Sequence, residues 1–248
     1  MKYFIYVASL ALVSTLWAGP EIYDPLSAYK QKNQMKSLPL TGAIIEGESK
    51  YFARYIYKEN LLIRVDYLNA KKELTGYSLF AYKNDKLVLE TLHDASQTLV
   101  EEIQYVYKKD RLEKTLIHDI KGATRIEWHY QYGKDGELLS GKRYVDKKVT
   151  ESFKIERKAT GVVQQIFNAQ NESVGRVEAT EKDGKIVFRH KTDLTGAKSA
   201  EYKYDAQNRL IEIVYYEEIK GQKTLVKKQL FEFSQAQDTQ KTGTLKAG

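Results

Sequence analysis

Tyr105-Val-Tyr-Lys-Lys-Asp-Arg-Leu-Glu-Lys-Thr-Leu-Ile-His-Asp119 is the unit from which most of the chain is built. Two aromatic residues, one position apart, are followed by a polar turn and then by Leu112. Tyr107, Tyr82 and Tyr57 stand 25 residues apart, and each has an aromatic two residues before it: Tyr105, Phe80 and Tyr55. Each is followed by a leucine, at Leu112, Leu87 and Leu62. The pattern runs on through Tyr130, Tyr132 and Leu138, and then through Val162, Ile186 and Leu210. A fixed period of this length signals a repeat architecture. Seven copies cover most of the chain.

Within a copy the apolar residues alternate. Ile126, Trp128, Tyr130 and Tyr132 share one parity, and Arg125, Glu127, His129 and Gln131 share the other. Alternation marks a half-buried strand, because successive side chains point to opposite sides of the pleat. Lys108-Lys-Asp-Arg111 breaks the pattern as a turn does, and Leu112 to His118 reads as the returning strand. A second break recurs at Asn69, Asp94 and Asp119, and again at Asn168 and Asp193. Asx side chains bond the backbone two residues on and so start turns. One copy is therefore a hairpin plus its link. The expected fold is all-β, an antiparallel β-hairpin repeat array of about 14–15 strands. It curls into a shell or forms a large twisted sheet, with one short N-terminal helix.

The segment Tyr202-Lys-Tyr-Asp-Ala-Gln-Asn-Arg-Leu-Ile211 resembles the tyrosine–aspartate repeats of the Rhs/YD family, and Tyr130-Gln-Tyr-Gly-Lys-Asp-Gly-Glu-Leu138 is a looser copy. The resemblance runs from about Tyr51 to Phe233. The period here is longer than that family's, and most copies lack the turn Gly. The resemblance implies a curling hairpin array and no particular activity. With 15 Gly, the chain is poorer in glycine than the comparable MORN-like hairpin repeats.

Residues 1–18 have the outline of a signal peptide: Lys2, an apolar stretch from Phe4 to Val13, and Ala18 before Gly19. Residues 19–48 carry no repeat. Asp24-Pro25 reads as a helix start, with Leu38-Pro-Leu-Thr-Gly42 as its stop. This segment is expected to cap the first hairpin, since an open sheet edge invites pairing with other chains. Residues 49–233 form the repeat domain, and residues 234–248 have little to bury and are expected to be disordered. Copies five and six, Thr150 to Asp193, lose their aromatics, so the middle of the sheet is expected to be loosely packed or open to a partner.

The chain has no Cys, which excludes disulfides, thiolate metal sites and a lipid-linked N-terminal cysteine. Its formal charge of +7 falls to +6 without Lys2. No apolar run after the leader reaches the length of a membrane helix. A transmembrane barrel is disfavoured because Leu61 to Leu68 and Leu87 to His93 are short, and because Lys114, Lys142 and Glu151 are in phase with apolar neighbours. His93 and His118 each precede an Asp and read as turn residues rather than metal ligands. No catalytic triad, phosphate-binding Gly loop or His-Glu-x-x-His is present, so no enzyme, cofactor or metal is expected. Tyr interleaved with Lys would suit nucleic acid, but Tyr105 and Tyr107 share the parity of Leu99 and Ile103, which reads as core.

Function is expected to lie in binding. The first reading is an exported structural or assembly component of a bacterial cell envelope, in periplasm or on the surface, with envelope protein partners. The alternative is a periplasmic carrier whose curled sheet encloses a lipid-like apolar ligand. Trp128, Tyr130, Tyr132, Tyr105, Tyr107, Tyr202 and Tyr204 form the candidate partner or ligand face.

Overall fold

The computed structural model describes residues 39–119, 125–194, 196–219 and 222–233. In it the repeat becomes one closed ring of antiparallel strands. These are β1 (Pro39–Glu46), β2 (Ser49–Lys58), β3 (Leu61–Leu68), β4 (Leu74–Lys83), β5 (Lys86–Asp94), β6 (Leu99–Lys108), β7 (Arg111–Asp119) and β8 (Arg125–Tyr132), followed by β9 (Leu138–Val145), β10 (Lys148–Lys158), β11 (Gly161–Asn168), β12 (Ser173–Lys182), β13 (Lys185–Asp193), β14 (Gly196–Tyr204), β15 (Leu210–Ile219) and β16 (Gln222–Phe233). Each strand pairs with its sequence neighbours, and β1 closes the ring on β16 with Pro39 opposite Phe233.

The seven expected hairpins are β2–β3 through β14–β15. The strands left over, β1 and β16, explain why sixteen are found where about fourteen or fifteen were expected. Strand β1 lies in the stretch read as a cap. Pro39 looked like a helix stop, yet proline is also tolerated at the first residue of a strand. Closure pairs the two edges with each other, so no cap over an open edge is required. The expected signal peptide, the short helix after Asp24 and the C-terminal tail lie outside the described residues.

Each hairpin tip has a specific build. Glu59 and Asn60 adopt φ of 52° and 64°, Asn84 and Asp85 51° and 61°, and Lys109 and Asp110 48° and 69°. Two left-handed residues in a row match the twist of the flanking strands. Next to the tip sits a bulge. Tyr57 faces Leu62 but Ile56 faces Arg64, which leaves Ile63 extra. The same shift recurs before Tyr82, Tyr107, Tyr132 and Tyr204. Successive hairpins are then tied together. The Tyr82 hydroxyl donates to the Leu62 carbonyl at 3.0 Å, and that of Tyr204 to the Ile186 carbonyl at 2.9 Å. Lys86 lies over the Tyr107 ring at 5.5 Å, Arg111 over Tyr132 at 6.0 Å, Lys185 over Tyr204 at 5.4 Å and Arg209 over Phe233 at 4.6 Å. At the other end of the barrel, Asn69, Asp94 and Asn168 start the expected Asx turns, each accepting two backbone N–H groups through Oδ1. Asp193 accepts from Lys191 at 3.0 Å.

Cross-strand partners share a face, so the register carries one face around the ring. From Tyr55 it runs through Val65, Phe80, Tyr105, Thr115, Trp128, Phe153, Ile166, Val177, Ala200, Ile213 and Phe231. Most of these are buried, and among the described residues no other layer covers them, so this face is the inside. The opposite face carries the exposed apolar residues Leu79, Val106, Val149 and Leu225. It also carries charge on strand after strand: Arg54, Glu102, Lys114, Lys142, Lys154, Glu178, Lys203 and Lys228. Leu99, expected beside Tyr105, lies across a bulge and pairs with His93 on this outer face. Glu151, in contrast to Lys114 and Lys142, faces inward opposite Arg143. The middle copies are closely packed rather than loose: Phe153 is 1% exposed, and Val162, Ile166 and Val177 are buried.

A candidate ligand-binding lumen

The inward aromatics are set by the repeat. Six of the even-numbered strands, all but β10 and β12, end in two of them, and the second lies at the hairpin-tip end of its strand. On β6 and β8, Tyr105, Tyr107, Tyr130 and Tyr132 all face inward, as does Trp128. These five of the seven candidate residues come together. Tyr202, on β14, belongs to a core cluster with Tyr55, Leu62, Ile213 and Phe231, and both Tyr204 and Tyr105 pack against it.

The two groups differ in packing. The β14 cluster is dense: Leu62 and Ile213 have no exposed surface. Tyr105, Tyr107, Tyr130 and Tyr132, with Ile103 and Ile117 between them, are only half-buried although they face the inside of a closed ring. About eight strands make a barrel that side chains just fill, whereas rings of sixteen enclose free space. Tyr105, Tyr107, Tyr130 and Tyr132, each partly exposed, turn toward the interior of this ring.

Their polar ends are satisfied by wall residues. The Tyr105 hydroxyl donates to Glu90 Oε2 at 3.1 Å, and the hydroxyls of Tyr130 and Thr115 lie 3.1 Å apart. Burial pushes the Tyr130 phenol well above its ordinary range, against the hydrogen bond from Thr115. Burial also raises Tyr107, with Tyr132 adding repulsion between the two phenols, and raises Tyr132 against the pull of Arg111. Tyr204 is pushed up to about 12 by burial and then by Tyr202. These phenols stay neutral at physiological pH and present apolar ring faces with a hydroxyl at the end.

A polar arc on the lumen side of β9 to β16 was not anticipated. It includes Arg143, Glu151, Gln164, Arg189, Lys191 and Lys227. Gln164, Arg189 and Lys227 are buried. Burial raises the Glu151 carboxyl while Arg143 and Lys191 draw it down. Lys227 lies 4.9 Å over the Tyr215 ring. The sequence signal for this arc is a set of polar residues at the parity of apolar ones, of which Glu151 is one. The lumen is therefore amphipathic, aromatic toward the hairpin tips on one side and charged along another.

The outer wall has its own organisation. His93 stacks on Tyr77 at 4.8 Å, with Nδ1 3.3 Å from the Gln97 carbonyl. Arg64 covers the other side of Tyr77 at 4.1 Å. Among the described residues, no group of three His, Asp or Glu is arranged to hold a metal ion.

No family model matches the chain, and no curated protein matches it. Solved structures do resemble it. A porin-like protein from Bacteroides uniformis aligns with TM-score 0.52 and 11% identity, over 80% of this chain and 99% of that one. A porin-like protein from Bacteroides vulgatus aligns with TM-score 0.47 and 8% identity, over 80% and 99%. The first likeness shows a shared fold; the second is too loose to add to it.

Proposed function

We propose that this chain is an exported, non-enzymatic β-barrel of a bacterial cell envelope that carries a lipid-like apolar ligand in its lumen. The observation that carries the reading is the contrast between its two faces. Tyrosines and isoleucines that are only partly exposed line the inside of β6 to β8, while the outer wall bears charge on most strands. A transmembrane barrel has the reverse arrangement, since Arg or Lys facing lipid at mid-depth costs about 2–4 kcal/mol each. A wall with Arg54, Lys114, Lys142, Lys154 and Lys228 suits water on the outside and an apolar guest within. The leader read at residues 1–18 supports export, and the porin-like description of a protein with this fold supports an envelope setting.

The assembly role draws on the same envelope setting but on a different face. With the aromatic ladder turned inward, partners would meet the charged outer wall, where Leu79, Val106, Val149 and Leu225 stand apart from one another among polar residues. That arrangement favours the carrier.

The test is extraction of detergent-free protein with organic solvent, followed by mass spectrometry, together with titration of a fluorescent apolar probe. Co-purified lipid and saturable probe binding are expected, with binding lost in Ile103→Lys, which places a charge in the lumen. Absence of any extracted lipid together with no saturable probe binding would sink the proposal.

A further inference from the structure

The barrel is polar along its axis. Every one of the seven hairpin tips carries a Lys or Arg, among them Lys58, Lys83, Lys108, Lys134, Lys158 and Lys182, all exposed. The anions beside them are partly neutralised. Asp110 accepts from Lys86, which holds its carboxyl below the usual range, and Asp205 accepts from Arg209 at 2.6 Å. The tip between β10 and β11, Arg157-Lys-Ala-Thr160, has no anion at all. The opposite rim differs. Its turns at Asp94–Thr98 and Asn168–Glu172 contain no Lys or Arg and the β1–β2 turn is Glu46-Gly-Glu48, while Lys71 and Lys72 stand beside Glu73 and Lys147 beside Asp146, so its charge is mixed.

Just inside the hairpin rim, the last inward aromatic of each of those six even-numbered strands marks the mouth of the lumen: Tyr57, Tyr82, Tyr107, Tyr132, Tyr204 and Phe233. Four of these have a cation over the ring. A basic residue near an anionic leaflet gains attraction that fades within a Debye length.

We infer that the hairpin-tip rim docks on an anionic lipid surface, with the mouth of the lumen facing the headgroups. Ligand transfer through that mouth rests on the carrier reading; the docking itself does not. Cations spread around a ring act together and orient the barrel axis along the membrane normal. The charged outer wall then stays in water, and only the tips and the aromatic layer beneath them approach the lipid.

The experiment is co-sedimentation of the full chain with vesicles of phosphatidylcholine alone and of phosphatidylcholine mixed with phosphatidylglycerol. Binding is expected to the mixed vesicles only, and to weaken as salt is raised. The combined substitution Lys58→Gln, Lys83→Gln, Lys134→Gln and Lys158→Gln should weaken it at least about tenfold. Removing the same charge from the other rim, with Lys50→Gln, Lys71→Gln, Lys72→Gln and Lys147→Gln, should leave it within about twofold. Equal losses in the two variants would overturn the inference in favour of general charge attraction, and so would failure of the unaltered chain to bind mixed vesicles. Apolar-probe titration of the same proteins in solution separates the two proposals. Vesicle binding without probe uptake keeps the rim and removes the carrier, and probe uptake without vesicle binding does the reverse. Circular dichroism of both variants confirms that they remain folded.

Discussion

The ring of Phe153 on β10 occupies the space that a side chain at Gly141, its partner on β9, would need. A Cβ at position 141 would collide with the Phe153 ring and lie 3.2 Å from the His129 carbonyl oxygen. Phe153 in turn packs on Trp128, with ring centroids 5.9 Å apart. A small residue on one strand thus lets a large one reach across to the next aromatic strand. Gly141→Ala is expected to cost about 1–3 kcal/mol as an overpacked site. Phe153→Ala should cost about 3–5 kcal/mol as a core truncation. Combining Gly141→Ala with Phe153→Ala should cost less than the two single changes added together. Urea denaturation of the four proteins checks this, and strict additivity would show that the ring and the glycine do not depend on each other.

On the outer wall, Asp66 has no exposed surface, yet it sits between two arginines that do. Arg54 Nε donates to Oδ2 at 2.9 Å and Arg64 Nε to Oδ1 at 2.5 Å. Asp66→Ala removes several charge-assisted hydrogen bonds at once and is expected to cost about 1.5–3 kcal/mol. Arg54→Ala leaves Arg64 in place, and the Arg54 side chain is 59% exposed, so its cost should stay within about 1 kcal/mol. Equal effects from the two variants in thermal melts would mean that Asp66 is held by something other than this pair.

Much of this architecture was legible because its unit is local. The two-aromatic signature at Tyr105 and Tyr107 fixes a strand, the polar run after it fixes a tip, and Leu112 fixes the return. Closure was not legible, since the Pro39–Phe233 pairing joins residues far apart in the chain and β1 carries no aromatic signature. Bulges hid the parity of the returning strands. Because Ile63 and its equivalents are extra, the inward set shifts from Leu62 to Val65, and a strict period of two misplaces one half of each strand. Leu99 was misassigned for the same reason. The candidate aromatics were legible as one face, but whether that face looked inward or outward depended on closure. The lumen's charged arc is legible only once the ring is closed, because Arg143, Glu151 and Arg189 belong to different copies.

The turn joining β9 and β10 places Asp146 at φ 48° and Lys147 at φ 66°, a left-handed pair without glycine. Such conformations cost L-residues roughly 1–2 kcal/mol each, and Asn-Gly is the pair that adopts them most readily. Replacing Asp146-Lys147 by Asn-Gly is expected to stabilise the barrel by about 1–2 kcal/mol. The midpoint in urea should rise with an unchanged slope, since the surface exposed on unfolding is the same. A lower midpoint would mean that one of the native side chains makes a contact worth more than the relief of strain.

The buried phenols set the alkaline limit of the fold. Tyr204 is pushed up to about 12, and Tyr107, Tyr130 and Tyr132 are raised from their ordinary value of 10.0. The folded barrel therefore keeps protons that the unfolded chain gives up. The stability linked to these groups is fully present below pH 10.0 and is lost as pH rises toward their folded values. On the acid side, a hydrogen bond from Lys223 is the largest influence holding Glu201 below its ordinary value of 4.5. That contribution has the opposite sign, being present above pH 4.5 and lost as pH falls through the lowered value. The acid effect should be small, since Lys223 and Glu201 are largely in water. Alkaline titration should therefore show tyrosinate absorbance rising in two stages, with the second coinciding with loss of the strand signal in circular dichroism. Tyr204→Phe should lower stability at neutral pH, because the bond to the Ile186 carbonyl is lost. It should also make the fall in stability above pH 10.0 shallower, because one titrating group is gone. If all tyrosines ionise together near pH 10.0 while the barrel stays intact, the phenols are in contact with bulk water rather than buried inside the ring.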